Sequence, residues 1–308
     1  MHTREQVYKE TLKYFAGDEL AANVWIDKYC LKKNGDYLEL TPDDMHRRLA
    51  KEFARIEQKY PNPMTEDEIY DLLKDFKYIV PQGSPMAGIG NNFTVSSISN
   101  CFVVHNEHDS YSAIMRTDEE QAHLMRRRGG VGSDISHLRP SGALAAGVPL
   151  GDDAGATLYM DRLSHTTREV QQDGRRGAKM ISISSLHPDV EKFIDKKLVK
   201  GAVTGANISV RMYDEVMEAA LNDRDIILRF PVETKVSPPD ELKYGKLTHH
   251  KDAYFKRIKG KVLLDKLVYN AWKSAEPGCL FWDKILSESP ARGYGAEWKE
   301  RSTNPLAT

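Results

Sequence analysis

The chain is 308 residues long and 40% hydrophobic, and it carries 44 basic against 45 acidic side chains, a formal net charge of -1. A chain of that length buries a full core and suits about two domains. The near balance of charge excludes the broad positive field of a duplex DNA binder, and no apolar run approaches the roughly 20 residues needed to span a bilayer, so neither nucleic acid nor membrane is an expected partner.

The opening stretch MHTREQVYKETLKYF has neither the apolar segment nor the small-residue cleavage site of a secretory signal, which implies a cytoplasmic protein. Residues 1–76 read as helices. Thr41-Pro42-Asp43-Asp44 supplies a cap, a first-turn proline and early acids ahead of MHRRLAKEFARIEQKY; Pro61-Asn62-Pro63 breaks that helix, and Thr65 caps the next. After Tyr78 short β-rich runs alternate with helical stretches. Strands are expected at 101–104, 180–184, 206–210 and 225–230, with helices between them in the segments 110–128, 155–172, 187–198 and 212–222. Such alternation specifies βα units and a mainly parallel sheet, with functional loops at the C-terminal ends of its strands. The domains are therefore a helical one, residues 1–77, and an α/β one, residues 78–308. Residues 231–261, charged and proline-containing, read as an exposed excursion, followed by a helix in LLDKLVYNAWKSAEPG.

Two glycine-rich segments combine backbone freedom with fixed positive charge. Arg126-Arg127-Arg128-Gly129-Gly130-Val131-Gly132 closes a predicted helix and runs on to Arg139-Pro140-Ser141-Gly142, and Asp173-Gly174-Arg175-Arg176-Gly177-Ala178-Lys179 joins a helix to a strand. Glycine lets backbone N–H groups approach a phosphate and arginine grips oxyanions with two donors, so the two together point to a nucleotide. Taken singly, each reads equally well as a helix end with solvated arginines in its last turn. Neither is a Walker A or GxGxxG sequence. A third feature is Gly83-Ser84-Pro85-Met86-Ala87-Gly88, followed by Ser99-Asn100-Cys101 at the opening of an apolar strand; by spacing alone Cys101 reads as a small core residue. Cys30, Cys101 and Cys279 are too far apart for a CxxC or a disulfide framework. His123, His165 and His187 lack partners at metal-ligand spacing and read as surface or capping residues, so no metal site is expected.

In order along the chain, SPMAG, SxSNCFV, RRRGGVG, SHLRPSG, QDGRRGA, HPDVEKFI, ANISV and STNP resemble the large, catalytic subunit of ribonucleotide reductase. The resemblance covers nearly the whole chain and is strongest over residues 78–230. It implies an α/β fold, with an N-terminal helical domain followed by the first half of a ten-stranded α/β barrel. It also implies an oxidoreductase that converts ribonucleotides to deoxyribonucleotides by radical chemistry for DNA synthesis. In that family a thiyl radical removes hydrogen from the ribose 3′ carbon, and a cysteine pair supplies the electrons that expel the 2′ hydroxyl. Cys101 matches the first member of that pair, a role that suits a thiol because it gives a proton and then closes a disulfide. Ser84, Asn100, Gly130 and Asn304 match substrate-contacting positions. Asp109, Ser110, Tyr111 and Arg139 match the allosteric site for a deoxynucleoside triphosphate or ATP, residues 139–150 its first loop, and Arg176 and Gly177 the second loop, which relays effector identity to the substrate.

The departures from the family pattern are as informative. The family's catalytic loop reads Asn-Pro-Cys-Gly-Glu; here Asn304-Pro305 is followed by Leu306-Ala307-Thr308, and leucine holds no thiyl radical. The second reducing cysteine, the rest of the barrel, the thiol tail and an ATP cone before Tyr14 are not in the sequence. The expectation is therefore a chain inactive alone that needs a C-terminal complement of the same enzyme. The further partners implied are a ribonucleotide, a nucleotide effector, a thioredoxin-like reductant and, for the complete subunit, a second copy. The radical source leans to adenosylcobalamin, with a dimetal radical subunit left open, and diphosphate versus triphosphate substrate is also open. The alternative is a non-catalytic deoxynucleotide-binding sensor, which Leu306 would suit.

Overall fold

The computed structural model describes residues 1–172, 175–295 and 297–303, with the backbone alone described at Gln171, Gln172, Arg175, Arg176 and Arg292. The chain divides into two compact units. One takes in Met1–Asn100 with Arg126–Gly129 and Gln171–Arg176; the other takes in Cys101–Met125, Gly130–Val170 and the residues from Gly177 onward.

The first unit is helical, as its capping residues foretell. Helices run Arg4–Tyr14, Glu19–Lys28, Pro42–Glu57 and Glu66–Leu73. Thr3 and Thr65 each form a reciprocal capping box, with Gln6 and Glu68, and Asp18 accepts from Ala21 N, so the first-turn N–H groups are satisfied. Their inward stripes, including Val7, Trp25, Ile26, Met45, Leu49 and Leu73, bury one core. Within it Arg48 pairs with Glu39 at 2.7 Å, both nearly sealed from solvent, and donates to Met86 O at 2.9 Å. That bond fixes the short Gly83–Gly88 helix, which carries Ser84.

The second unit is built on a five-stranded parallel sheet. In chain order its strands are β1 Cys101–Val103, β2 Gly130–Asp134, β3 Lys179–Ser184, β4 Asn207–Met212 and β5 Gly278–Phe281. Sequence order is also spatial order, from β1 at one edge to β5 at the other. Helices Tyr111–Arg126, Leu158–Glu169, Val190–Asp195 and Gly260–Ser274 serve the crossovers. The architecture is that of a helical N-terminal domain with part of an α/β barrel, the expected fold class.

Register assigns two faces to this sheet. Cys101 pairs with Gly130 and Val103 with Gly132; Gly132 pairs with Met180 and Asp134 with Ser182; Ser182 pairs with Ser209 and Ser184 with Arg211. Strand side chains alternate, so these residues share one face, which is polar or glycine apart from Val103, Met180 and the thiol of Cys101. The opposite face presents Ile181, Ile183, Ile208, Val210 and Met212 to the helices, in the main core with Phe193 and Leu263.

Three expectations are corrected. Gly130-Val131-Gly132, read as part of a loop, lies in a fully buried strand: two glycines left too few β-forming residues for the run to be seen. Residues 231–261 are not simply an exposed excursion, because Ala253–Lys259 pairs with Asp225–Phe230 and with Thr248–His250 in an antiparallel sheet whose Ala253, Phe255 and Ile258 are buried. The strand expected at 225–230 therefore belongs to that small sheet, while β5, hidden behind Pro277-Gly278, completes the parallel one. His187, expected at the surface or in a cap, is not at the surface but fully buried; its Nδ1 does accept from Asp189 N at 3.0 Å ahead of the Val190–Asp195 helix, and its Nε2 lies 2.9 Å from Leu138 O.

Candidate active site

Cys101 opens β1 as a half-buried thiol. Across from it Gly130 and Gly132 place no side chain on the polar face, so the sheet surface beside the sulfur is cleared to the backbone. Cys279 cannot be its redox partner within this sheet. It pairs with Val210 and so shares the opposite face, and it stands on β5, four strands away, about 19 Å at the usual spacing. Cys30 is buried in the other unit with its thiol on Glu39 O at 3.4 Å, and burial pushes it up to about 12.

Toward the C-terminal ends of the strands the polar face carries a buried network that sequence reasoning missed. Arg211 Nε lies 3.1 Å from Asp134 Oδ2, with the two side chains 5% and 0% exposed. Ser182 donates to the same carboxylate oxygen at 2.8 Å, and Arg211 also reaches Ser136 Oγ at 3.1 Å and stacks its guanidinium 4.5 Å over the Trp282 ring. Segment 301–303 comes back to this surface: Ser302 Oγ lies 3.1 Å from Ser182 Oγ, and Arg211 donates to Arg301 O at 3.4 Å. The signal was present in GVGSD and NISVRM, where an acid and an arginine interrupt strands otherwise small or apolar. Also missed were His105 and His137, just past β1 and β2, with ring centroids 5.0 Å apart. Burial, then His137 and Arg301, bring His105 down to about 4, so it is a neutral imidazole.

Ser84 and Asn100 are brought together in the first unit. Asn100 Oδ1 accepts from Ser84 N at 2.7 Å, and its amide nitrogen binds Gln82. Ser84 is fully buried, and its hydroxyl has no hydrogen-bond partner among the described residues. An unmatched buried hydroxyl costs on the order of 1–3 kcal/mol, so the position fits a group that a ligand completes.

The residues matched to the effector site form a cluster in the second unit. Arg139 Nε binds Asp109 Oδ2 at 2.6 Å while its backbone N–H binds Oδ1 at 3.2 Å, and NH1 binds Leu144 O at 2.6 Å. The guanidinium is thus preoriented by Asp109, and a phosphate would have to share or displace these bonds. Ser110 Oγ accepts from Ala113 N at the start of the Tyr111–Arg126 helix. Tyr111 is 66% exposed and meets Tyr159 edge-on with centroids 6.1 Å apart; burial and then a hydrogen bond to Tyr111 raise Tyr159 to about 12. In the loop 139–150, Leu144–Ala145 pairs with Val148–Pro149. Its base is held by Asp189, 3% exposed, which accepts from Ser141 N, Ser141 Oγ and Ala156 N. Gly155 is required there, at φ +99 and with a Cβ that would fall 2.3 Å from Ser141 N.

In the second loop Arg175–Arg176 pairs with Gln171–Gln172. Gly177 is packed so that a Cβ would meet Met125 Sδ at 3.0 Å and Thr167 O at 3.1 Å. The side chain of Arg176, and Asp173, Gly174, Asn304 and Leu306 entirely, lie outside the described residues. Among the described residues no group of three metal-binding side chains gathers, and no helix is long and apolar enough to cross a membrane.

A parallel α/β sheet with strands in sequence order and crossover helices on one face defines part of an α/β barrel. The sequence matches the family described as ribonucleotide reductase, barrel domain, over residues 99–299, and that described as ribonucleotide reductase, all-alpha domain, over residues 15–91. The chain belongs to the ribonucleotide reductase large-subunit family. It is 30% identical over 228 residues to the vitamin B12-dependent ribonucleoside-diphosphate reductase of Thermoplasma acidophilum, which covers 73% of this chain and 26% of that protein. The vitamin B12-dependent ribonucleoside-diphosphate reductase of Mycobacterium tuberculosis is 26% identical over 290 residues, 92% of this chain and 38% of its own length. The ribonucleoside-diphosphate reductase subunit alpha of Synechocystis sp. is 25% identical over 217 residues, 65% of this chain and 28% of its own. The chain thus spans between about a quarter and two-fifths of the length of these relatives.

Proposed function

We propose that this chain supplies the helical domain and the first barrel half of a ribonucleotide reductase, and that Cys101 is the first thiol of its reducing pair. The observation that carries this reading is the position of Cys101: a half-buried thiol beside Gly130 on the polar face, to which residues 301–302 return.

The chemistry asked of these residues is narrow. A ribonucleotide whose 3′ hydrogen has been abstracted loses its 2′ hydroxyl as water; two thiols give two electrons and two hydrogens, form a disulfide, and the 3′ hydrogen returns. Cys101 gives one of the two thiols. The other thiol and the radical-bearing cysteine come from residues outside those described, and Leu306 occupies the loop position that the family fills with cysteine. The unmatched Ser84 hydroxyl and Asn100 are assigned to the substrate, and Asp109, Ser110, Tyr111, Arg139, Arg176 and Gly177 to a deoxynucleoside triphosphate or ATP effector.

Vitamin B12 is carried in the names of two of the relatives, and in its adenosylcobalamin form it supplies an initiating carbon radical when bound. Among the described residues, cavities of about 530 and 360 Å³ are lined largely by charged and polar groups, and one of about 430 Å³ mixes charged groups with Ile226, Val236 and Phe255; their volumes suit a nucleotide-sized ligand better than a corrin. The cofactor's seat is assigned elsewhere in the assembled enzyme. The further partners of this reading are a C-terminal complement, a thioredoxin-like dithiol that reopens the disulfide and a second copy of the complete subunit, in the cytoplasm.

The test mixes the chain with a complement carrying the remaining barrel and a cysteine-bearing loop, and measures deoxynucleotide formation. Activity that requires Cys101 supports the assignment; a correctly folded mixture with no activity, or one indifferent to Cys101→Ser, rejects it.

A further inference from the structure

Lys179 begins β3, two residues beyond Gly177. It alternates with Met180, Ser182 and Ser184, so it points to the helix side with Ile181 and Ile183. An amine is an exception on that face. It is 2% exposed, and its Nζ donates to Ser133 Oγ on β2 at 2.6 Å.

The charges around it are few. From the Tyr111–Arg126 helix Asp118 acts on it, but that carboxylate is already bound by Arg162 at 2.9 Å and by Thr166 Oγ1 at 2.7 Å, both from the Leu158–Glu169 helix. Strand β2 offers the Ser133 hydroxyl alone. The two helices are tied to one another by Gln121, whose amide nitrogen binds Leu163 O at 2.8 Å and Thr167 Oγ1 at 3.3 Å. Gly177 packs against Met125 and Thr167 of the same pair. These helices begin at Tyr111 and Leu158, beside the tyrosines 111 and 159 of the effector cluster.

We propose that Lys179 is the positioning residue of the arginine-glycine loop: its buried hydrogen bond to Ser133 fixes where the loop rejoins the sheet, beneath the helices that carry the effector-facing residues. The purpose of this anchor rests on the specificity-site reading above; its geometry does not. Burial brings Lys179 down to about 7, so the neutral amine carries the bond increasingly as pH rises above neutrality.

Trypsin cleavage after Arg175 or Arg176 reads the loop directly. Lys179→Met keeps the bulk and Ser133→Ala removes only the acceptor. In each, cleavage near pH 8 should rise about fivefold, the opening expected for one lost hydrogen bond, while urea unfolding stays a single transition. Wild-type stability should also climb with pH above neutrality, and the Lys179→Met protein should lose that climb. Wild-type cleavage rates in both folded variants, or a pH dependence that survives in Lys179→Met, overturn the proposal. Added dATP or dTTP separates the two readings: nucleotide that fails to shield these arginines in the wild type removes the effector site, while the rates without nucleotide still decide Lys179.

Discussion

The two faces of the parallel sheet are made by the same strands and do opposite work. On the helix side Ile181, Ile183, Ile208 and Val210 are all fully buried and form the main core. On the other side the same strands offer Cys101, two glycines, Ser182, Ser184, Asp134 and Arg211. A parallel strand covered on both faces ordinarily reads as a continuous apolar run. Here most alternate positions are polar or empty, Val103 and Met180 excepted, so the continuous apolar core lies on one side and the other is largely polar.

The largest effect should separate these roles most sharply. Cys101→Ser in a reconstituted enzyme is expected to lower deoxynucleotide formation at least about a thousandfold, since the reducing pair acts as a unit. Its unfolding free energy should move by no more than about 0.5 kcal/mol. A large stability loss would mean that Cys101 is a packing residue after all.

Next come the two buried sites that hold the faces in register. Asp134→Ala strands the Arg211 guanidinium among groups that cannot replace the carboxylate, at a cost of about 3–5 kcal/mol in urea unfolding. Ile183→Ala, on the opposite face, should cost about 2–5 kcal/mol as a cavity. If Asp134→Ala proved neutral, the network under residues 301–303 would be solvated rather than sealed.

A smaller effect depends on pH. The folded state binds the Lys179 proton less tightly than the unfolded chain, where lysine titrates near its ordinary value, so the unfolded state holds more protons from about pH 7 upward. Stability therefore rises with pH in that window, by at most about 1.4 kcal/mol per unit for this one group, and the charged form is penalised below it. Urea titrations of wild type and Lys179→Met between about pH 6 and 9 should differ by that slope.

Ser84→Ala should have the least effect on folding. Because its hydroxyl is buried without a partner among the described residues, removal is expected to leave stability unchanged or to raise it by up to about 1 kcal/mol. Nucleotide affinity, read by calorimetry, should fall at the same time, and an unchanged affinity would remove Ser84 from the substrate side.

Much of this was legible in the sequence. Thr41 and Thr65 announced their helices because a cap depends only on a side chain and the next turn. The runs at 101–104, 180–184 and 206–210 announced three of the five parallel strands because β-branched residues cluster there. The order of the short motifs pointed to the family and to Cys101. What stayed hidden was non-local. Gly130–Asp134 carries too little β-forming bulk to show as a strand, and only its pairing on both sides makes it one. The charge of residues 231–261 masked the buried positions Ala253, Phe255 and Ile258.

Sequence by itself determined which residues could do chemistry here, a thiol, paired arginines and glycines in a recognisable order, because residue identity and local spacing are properties of the chain. Tertiary structure alone decided which of them meet. Register set Cys101 beside Gly130 and turned Cys279 to the far face. It also buried Lys179 against Ser133 and joined Asp134 to Arg211 across β3, because those distances depend on strand pairing between residues tens of positions apart.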